Sequence, residues 1–295
     1  MTISQDAAVQ ISKAKALLHG WLSRRLSADA ISWLDQQIEV LEAGQRPQQL
    51  AIAIGLAPRK VGKADLDLTA AEIQAAQDVR PSLDAGGWSV DQAVRILLVL
   101  ASADANRGAF AESIERIFAA AEIGEQIALL RGLPLLPEPE QLVPYAAEGI
   151  RSAMQPIFEA VAHRNPYPRE RFSEAQWNQM VVKTLFIGSR LSPIQGLDDR
   201  RNADLAQMLV DYAAERRAAG RSISPELWRC VAPFARDNDV ATLSEILLSG
   251  TQTERSGAAL ALHECPLPSA KAALSPHADL VSAIEAGRLS WNSIS

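Results

Sequence analysis

Three side chains in the second half of the chain carry the strongest hint of chemistry. Asp198, Asp199 and Asn202 stand in a D-D-x-x-N pattern within "LDDRRNADL". Carboxylates at that spacing can hold magnesium and, through it, a diphosphate. A looser partner pattern, "NDVATLSE" from Asn238 to Glu245, falls one residue short of the usual spacing for a second metal site. The context argues for a plainer role. The acidic pair precedes a helix, with Asn202 as its cap. Negative charge there is stabilised by the helix dipole and needs no metal.

Other constellations are weaker. His263, Cys265 and His277 offer three ligands where a structural zinc needs four, and no second cysteine accompanies them. "APRKVGKA" (Ala57 to Ala64) has Ala where a phosphate-binding loop requires its first Gly and its final Ser or Thr. No metal site is expected, and no cofactor, with Mg2+ reserved for the diphosphate alternative.

The stretch "HRNPYPRERFSEAQWNQMVVKTLF" (His163 to Phe186) concentrates prolines, arginines and aromatics. Part of it is helix-start hardware. Ser173 and Gln176 have capping-box spacing, and Phe172 and Trp177 that of a hydrophobic staple. Pro166 and Pro168 stiffen the approach. At about 100° per residue, Gln176, Gln179 and Lys183 share one face of the helix that follows. Asn178 points into the apolar arc, where an unpartnered amide costs about 1–3 kcal/mol. It must therefore be hydrogen-bonded to a flanking loop or to a ligand. The candidate ligand-binding set is Asn165, Tyr167, Asn178, Lys183, Gln195, Asp198, Arg200, Trp228 and Arg229. Tyr and Trp would offer flat contacts, Arg and Lys would hold an anionic group, and Asn and Gln would fix orientation. The set is a site only if the fold brings these side chains together.

The elements that must position them are helices. Apolar spacing follows the helical period almost everywhere. "DAAVQISKAKALLHGWLSRRL" puts Val9, Ile11, Ala14, Leu17, Leu18, Trp21 and Leu22 near one face. "SVDQAVRILLVLASA" is apolar on most sides, as in a helix buried among neighbours. Gly44 and Gly220 are natural helix stops. Ser224 and Pro225 mark a helix start in "SPELWRCVAPFA". Short helix pairs toward the C-terminus suggest repeats of irregular period. The expectation is an all-α fold, an irregular α-solenoid or HEAT-like array of about 12–16 helices. "GLPLLPEPEQLVPY" (Gly132 to Tyr145) divides it into an N-terminal helical region, 1–133, and a C-terminal HEAT-like region, 134–295, packed as one body. "HRNPYPRERF" is a second break.

Bulk properties narrow the function classes. The 295 residues are 48% hydrophobic and 22% charged, enough for a sizeable core. A net charge of −6 without a basic run disfavours nucleic acid. No apolar run approaches the roughly 20 residues that span a bilayer. The N-terminus lacks a signal-peptide pattern, and two cysteines make no disulfide framework. The expected location is the cytoplasm.

"NPYPRERFSEAQWNQMVVKTLFIGSRLSPIQGLDDRRNADLAQML", "SPELWRCVAPFA" and "GGWSVDQAVRILLVLA" resemble the EboA family. The likeness covers most of the chain and is strongest from Asn165 to Phe234. It implies membership of a bacterial gene cluster that makes or traffics a specialised metabolite, alongside a UbiA-like prenyltransferase and sugar-metabolism-like enzymes. It implies no catalytic residues. The leading expectation is a non-catalytic accessory protein that binds a small-molecule metabolite or pathway enzymes. The alternatives are a terpene-cyclase-like helical enzyme acting on a prenyl diphosphate, and a protein-interaction scaffold.

Overall fold

The computed structural model describes residues 5–44, 48–105 and 110–294. Residues 1–4, where the reading of the N-terminus begins, lie outside them. The described residues form seventeen α-helices and no strand, so the protein is all-α. One isolated antiparallel bridge joins Asp65 to Ser89. The helix count exceeds the expected range because several helices are very short. Pieces of five to eight residues hold too few turns to show a period.

The chain divides into two compact units, Met1–Phe172 and Ser173–Ser295. The first contains α1 (Gln5–Ser23), α2 (Ala28–Glu42), α3 (Gln49–Val61), α4 (Ala70–Val79) and α5 (Val90–Ala105). It continues with α6 (Phe110–Ala120), α7 (Ile123–Gly132), α8 (Val143–Arg151), α9 (Gln155–Ala162) and α10 (Tyr167–Arg171). The proline segment from Pro134 to Leu142 lies inside this unit as two 3-10 turns, Leu133–Leu135 and Pro139–Leu142. Leu133, Leu135, Leu136 and Leu142 are all buried. The segment is packed wall rather than linker, and the division falls at the end of the second proline-bearing break.

The hub of the first unit is α5. Helices α1, α2, α3 and α7 all pack on it, and Val94, Leu98, Leu100 and Ala101 are fully enclosed. Its buried charges are matched: Arg95 donates to Asp91 at 2.6 Å, to the Ile54 carbonyl and to the Gly124 carbonyl. A second ionic knot ties the end of α1 to the start of α4. Glu72, in the first turn of α4, accepts from Arg24 at 2.7 Å and Arg25 at 2.7 Å, and closes a capping box with Thr69. The hydrogen bond from Arg25 leads the interactions that hold its carboxyl far below the ordinary glutamate range, against the opposing cost of burial.

The second unit contains α11 (Glu174–Phe186), α12 (Ala203–Ala218), α13 (Leu227–Val231), α14 (Asp237–Ser249), α15 (Gln252–Glu264), α16 (Pro268–Leu274) and α17 (Ala278–Glu285). Here α15 is the hub, with α13, α14, α16 and α17 against it. Its Gly257 lets the turn before α13 come close, since a Cβ there would sit 2.6 Å from Pro225 Cβ. The expected stops hold: Gly44 and Gly220 take φ of 65° and 63°. The capping boxes at Ser173 and Gln176 and at Thr251 and Glu254 are both formed. Helix α13 starts two residues later than the Ser224-Pro225 signal suggests, for a reason that lies in the loop between α11 and α12.

Candidate functional site

That loop, residues 187–202, is held by side chains from the helices around it. Glu226 is 4% exposed. Its two carboxylate oxygens accept from the backbone N–H groups of Leu191 and Ser192, each at 2.9 Å. Glu226 is thereby fixed as the residue before α13, and the helix begins at Leu227. At the far end of the loop, Asp198 accepts both nitrogens of Arg229 in a fork, at 2.7 and 2.6 Å. Arg201 donates to the Arg229 carbonyl at 3.0 Å and to Glu264 at 2.8 Å. Burial opposes ionisation of Asp198, but the hydrogen bond and charge of Arg229, with Arg201, outweigh it and lower its pKa. Burial pushes the Cys230 thiol alongside up to about 12.

Asn178 is buried, as its helical phase requires. It exchanges two hydrogen bonds with the Asn202 side chain, at 3.1 and 2.9 Å. Asn202 Oδ1 also accepts the Leu205 N–H at 2.8 Å, which caps α12. The D-D-x-x-N motif therefore spends Asp198 on an ion pair and Asn202 on a cap. Arg200 lies 4.8 Å above the Trp177 ring, while Trp228 is buried in α13. Lys183 and Gln195 are half-buried. Burial lowers the Lys183 pKa, and Gln195 Oε1 is enclosed with no hydrogen-bond donor among the described residues. Of the sequence-derived set, Asp198 meets Arg229 directly. Asn178 is tied to the same loop through Asn202.

Asn165 and Tyr167 belong to the first unit, and their polar groups are used there. Asn165 donates to the Leu130 and Ala160 carbonyls, both at 3.0 Å, and accepts the Tyr167 N–H at 3.0 Å. Tyr167 is 1% exposed, and its hydroxyl donates to the Pro139 carbonyl. Burial raises its pKa, with Glu140 adding to the rise and Arg171 opposing it. Two ion pairs complete the attachment of α10 to the segments it backs, Glu170 to Arg80 and Arg171 to Glu140.

In front of that support lies a cleft of about 350 Å³. One side is a face of α1, from Ala7 through Ile11 to Ala14. The other is Val79 to Pro81 with Pro134 to Pro139. Four prolines line it, and proline brings no N–H. Several wall carbonyls are already satisfied from behind or beside. Pro134 accepts from Arg80 Nε at 2.9 Å, Pro81 accepts from Arg80 at 3.3 Å, and Pro139 accepts from Tyr167. The wall is thus largely apolar although built of backbone, with Arg80 and Glu138 as its charged members. Glu138 sits in it with φ 52° and ψ 53°, a left-handed conformation directly before a proline. Such strain persists only where the surrounding packing over-determines it. The sequence reading passed over these residues as a boundary. The available signal was the run of prolines alternating with leucines, which a flexible linker does not need.

A family model described as "Metabolite traffic protein EboA" matches residues 14–232. The chain belongs to the EboA family. No curated protein and no solved structure matches it. The EboA match takes in the proline wall, α10 and the whole Asp198–Arg229 clamp. It leaves out the first α1 residues of the cleft and helices α14 to α17. Among the described residues, no helix is long and apolar enough to cross a membrane.

Proposed function

We propose that this EboA-family chain is a non-catalytic accessory protein that holds an uncharged, largely apolar metabolite in the α1–proline cleft. The family description, which concerns metabolite traffic, supports a handling role. The carrying observation is that the cleft wall is proline-rich and that its Pro81, Pro134 and Pro139 carbonyls are capped by Arg80 and Tyr167. An apolar guest can then replace water without stranding those three carbonyls, and stranded polar groups are where most of the cost of desolvation arises. The volume lies within the range of about 300–1,000 Å³ that small-molecule sites occupy. On this reading Tyr167 and Asn165 are positioning residues rather than contacts. Asp198, Arg200, Arg229 and the asparagine pair brace the second unit, whose short helix pairs we read as irregular HEAT-like repeats. Turnover needs no place in this role, and neither does a cofactor.

Native mass spectrometry of freshly purified protein, followed by titration with the neutral fluorophore N-phenyl-1-naphthylamine, tests the proposal. The expected result is saturable fluorescence enhancement that Ala7→Trp abolishes by filling the mouth. Tyr167→Phe, which keeps the ring but frees the Pro139 carbonyl, should weaken binding about three- to tenfold. Undiminished binding in both variants, at unchanged melting temperature, would place the guest elsewhere and sink the assignment. Magnesium-dependent release of diphosphate from a prenyl diphosphate, lost in Asp198→Ala, would favour the enzyme reading instead.

A further inference from the structure

A second cavity in the first unit has a different chemistry. It measures about 420 Å³ and lies among α6, α7, α8 and the start of α9. Phe118 and Tyr145, both in its lining, stack directly on each other with ring centroids 4.4 Å apart and planes 13° from parallel. Glu115 stands one turn before Phe118 on α6, and Glu148 one turn after Tyr145 on α8. Each helix thus presents an aromatic ring and a carboxylate at i, i+3 spacing, the two that share a face. The position after each pair is small, Ala119 and Gly149, which leaves room beside the rings. Gly149 is required for close helix packing, because a Cβ there would meet Val161 at 2.7 Å and Leu130 at 3.1 Å. Leu130 and Ile157 add apolar lining, and Gln126 and Ser152 are its other polar side chains.

The electrostatics point one way. Among the described residues that line the cavity, none is basic. Arg151 reaches Glu148 at 3.1 Å, but both side chains are largely exposed, so that pair is screened and weak. Arg116, next to Glu115, turns to the Ser113 hydroxyl. Burial raises the Tyr145 pKa, and the Glu115 charge raises it further. An anion entering here would meet two carboxylates and the electron-rich π density of the stacked ring pair. A cation would meet the same groups as partners: the rings through cation–π attraction and the carboxylates through charge.

We propose that the Phe118–Tyr145 cavity binds an organic ammonium ion carried on an apolar or aromatic body. It shares no lining residue with the α1–proline cleft, and it stands or falls independently of the function proposed there. The probes are benzyltrimethylammonium, benzyl alcohol and benzoate, matched in ring and differing in charge. Each is titrated into the full chain by isothermal calorimetry, with ligand-observed NMR to locate contact with the aromatic protons. The cation should bind most tightly, and 0.5 M salt should weaken it. The paired isosteric changes Glu115→Gln and Glu148→Gln touch only exposed side chains, so the fold should survive them. Together they should weaken the cation about fivefold and leave benzyl alcohol unchanged. Tyr145→Leu, which keeps bulk and removes the ring, should weaken the cation further at similar melting temperature. Equal binding of the three probes, or cation binding indifferent to both the glutamates and Tyr145, would overturn the proposal. So would no detectable cation binding at all.

Discussion

Asn178 is a buried amide whose every accounted bond goes to one partner. Its Nδ2 donates to Asn202 Oδ1 and its Oδ1 accepts from Asn202 Nδ2. Asn202 in turn caps α12 through Leu205. Removing the Asn178 side chain takes one hydrogen bond from each Asn202 group, although Oδ1 keeps the Leu205 N–H and Nδ2 keeps the Arg200 carbonyl at 3.2 Å. Each lost hydrogen bond is worth about 0.5–1.5 kcal/mol net, so Asn178→Ala, which removes two, should lower the melting temperature clearly. Gln179, the next residue, is exposed, and Gln179→Ala should stay within about 0.5 kcal/mol of the parent. Thermal unfolding followed by circular dichroism at 222 nm separates the two. Equal, small shifts would mean the asparagine pair is dispensable.

Helices approach each other in the first unit through missing side chains as much as through apolar ones. At the end of α7, a Cβ added to Gly132 would lie 2.7 Å from Ile96 Cγ1 and 3.1 Å from its Cδ1, on α5. Ile96 is itself enclosed and has little room to yield. Gly132→Ala should therefore destabilise by about 1–3 kcal/mol through overpacking, although alanine is the better helix former. Urea denaturation reads the shift in midpoint, and a gain in stability would show that the contact relaxes. At this scale the sequence was informative wherever one helix carries its own signal. The run of α5, apolar on most sides, announced a buried hub, the spacing of Ser173 and Gln176 a cap, and the phase of Asn178 an inward amide. What it concealed depends on partners distant in the chain. The α13 start is set by Glu226 reaching back to Leu191 and Ser192. The role of Tyr167 is set by Pro139, and the proline run becomes a wall only because α10 and α1 stand on either side of it. No local pattern encodes those pairings.

Titration behaviour belongs to the whole molecule, and its sign can be worked out group by group. Glu72, Asp198 and Glu254 all have carboxyl pKa values below their ordinary ones. The causes are the hydrogen bond from Arg25 at Glu72, the pairing with Arg229 that overcomes burial at Asp198, and the Thr251 backbone N–H at Glu254. Each binds protons more weakly folded than unfolded. Each therefore contributes stability that is complete above its unfolded pKa and is lost as pH falls through the folded one. Tyr145 and Tyr167 are raised, both chiefly by burial. Their contribution is complete below the ordinary tyrosine value of 10.0 and fades as pH rises beyond it. The melting temperature should thus be nearly level across neutral pH, with an acid arm starting near the ordinary glutamate value of 4.5. Glu72 should dominate that arm, since it is 9% exposed and held by two arginines. Glu72→Gln removes the charge while keeping the shape and leaves Arg25 without its counter-ion. Breaking a largely buried pair from one side costs on the order of 2–3 kcal/mol after allowance for partial exposure. The variant should melt well below the parent at pH 7, and the gap should close as pH drops below 4.5, because the parent is then losing what the variant never had. Parallel melting curves from pH 7 to pH 3, with a constant gap, would show that Glu72 acts through packing and not through its charge.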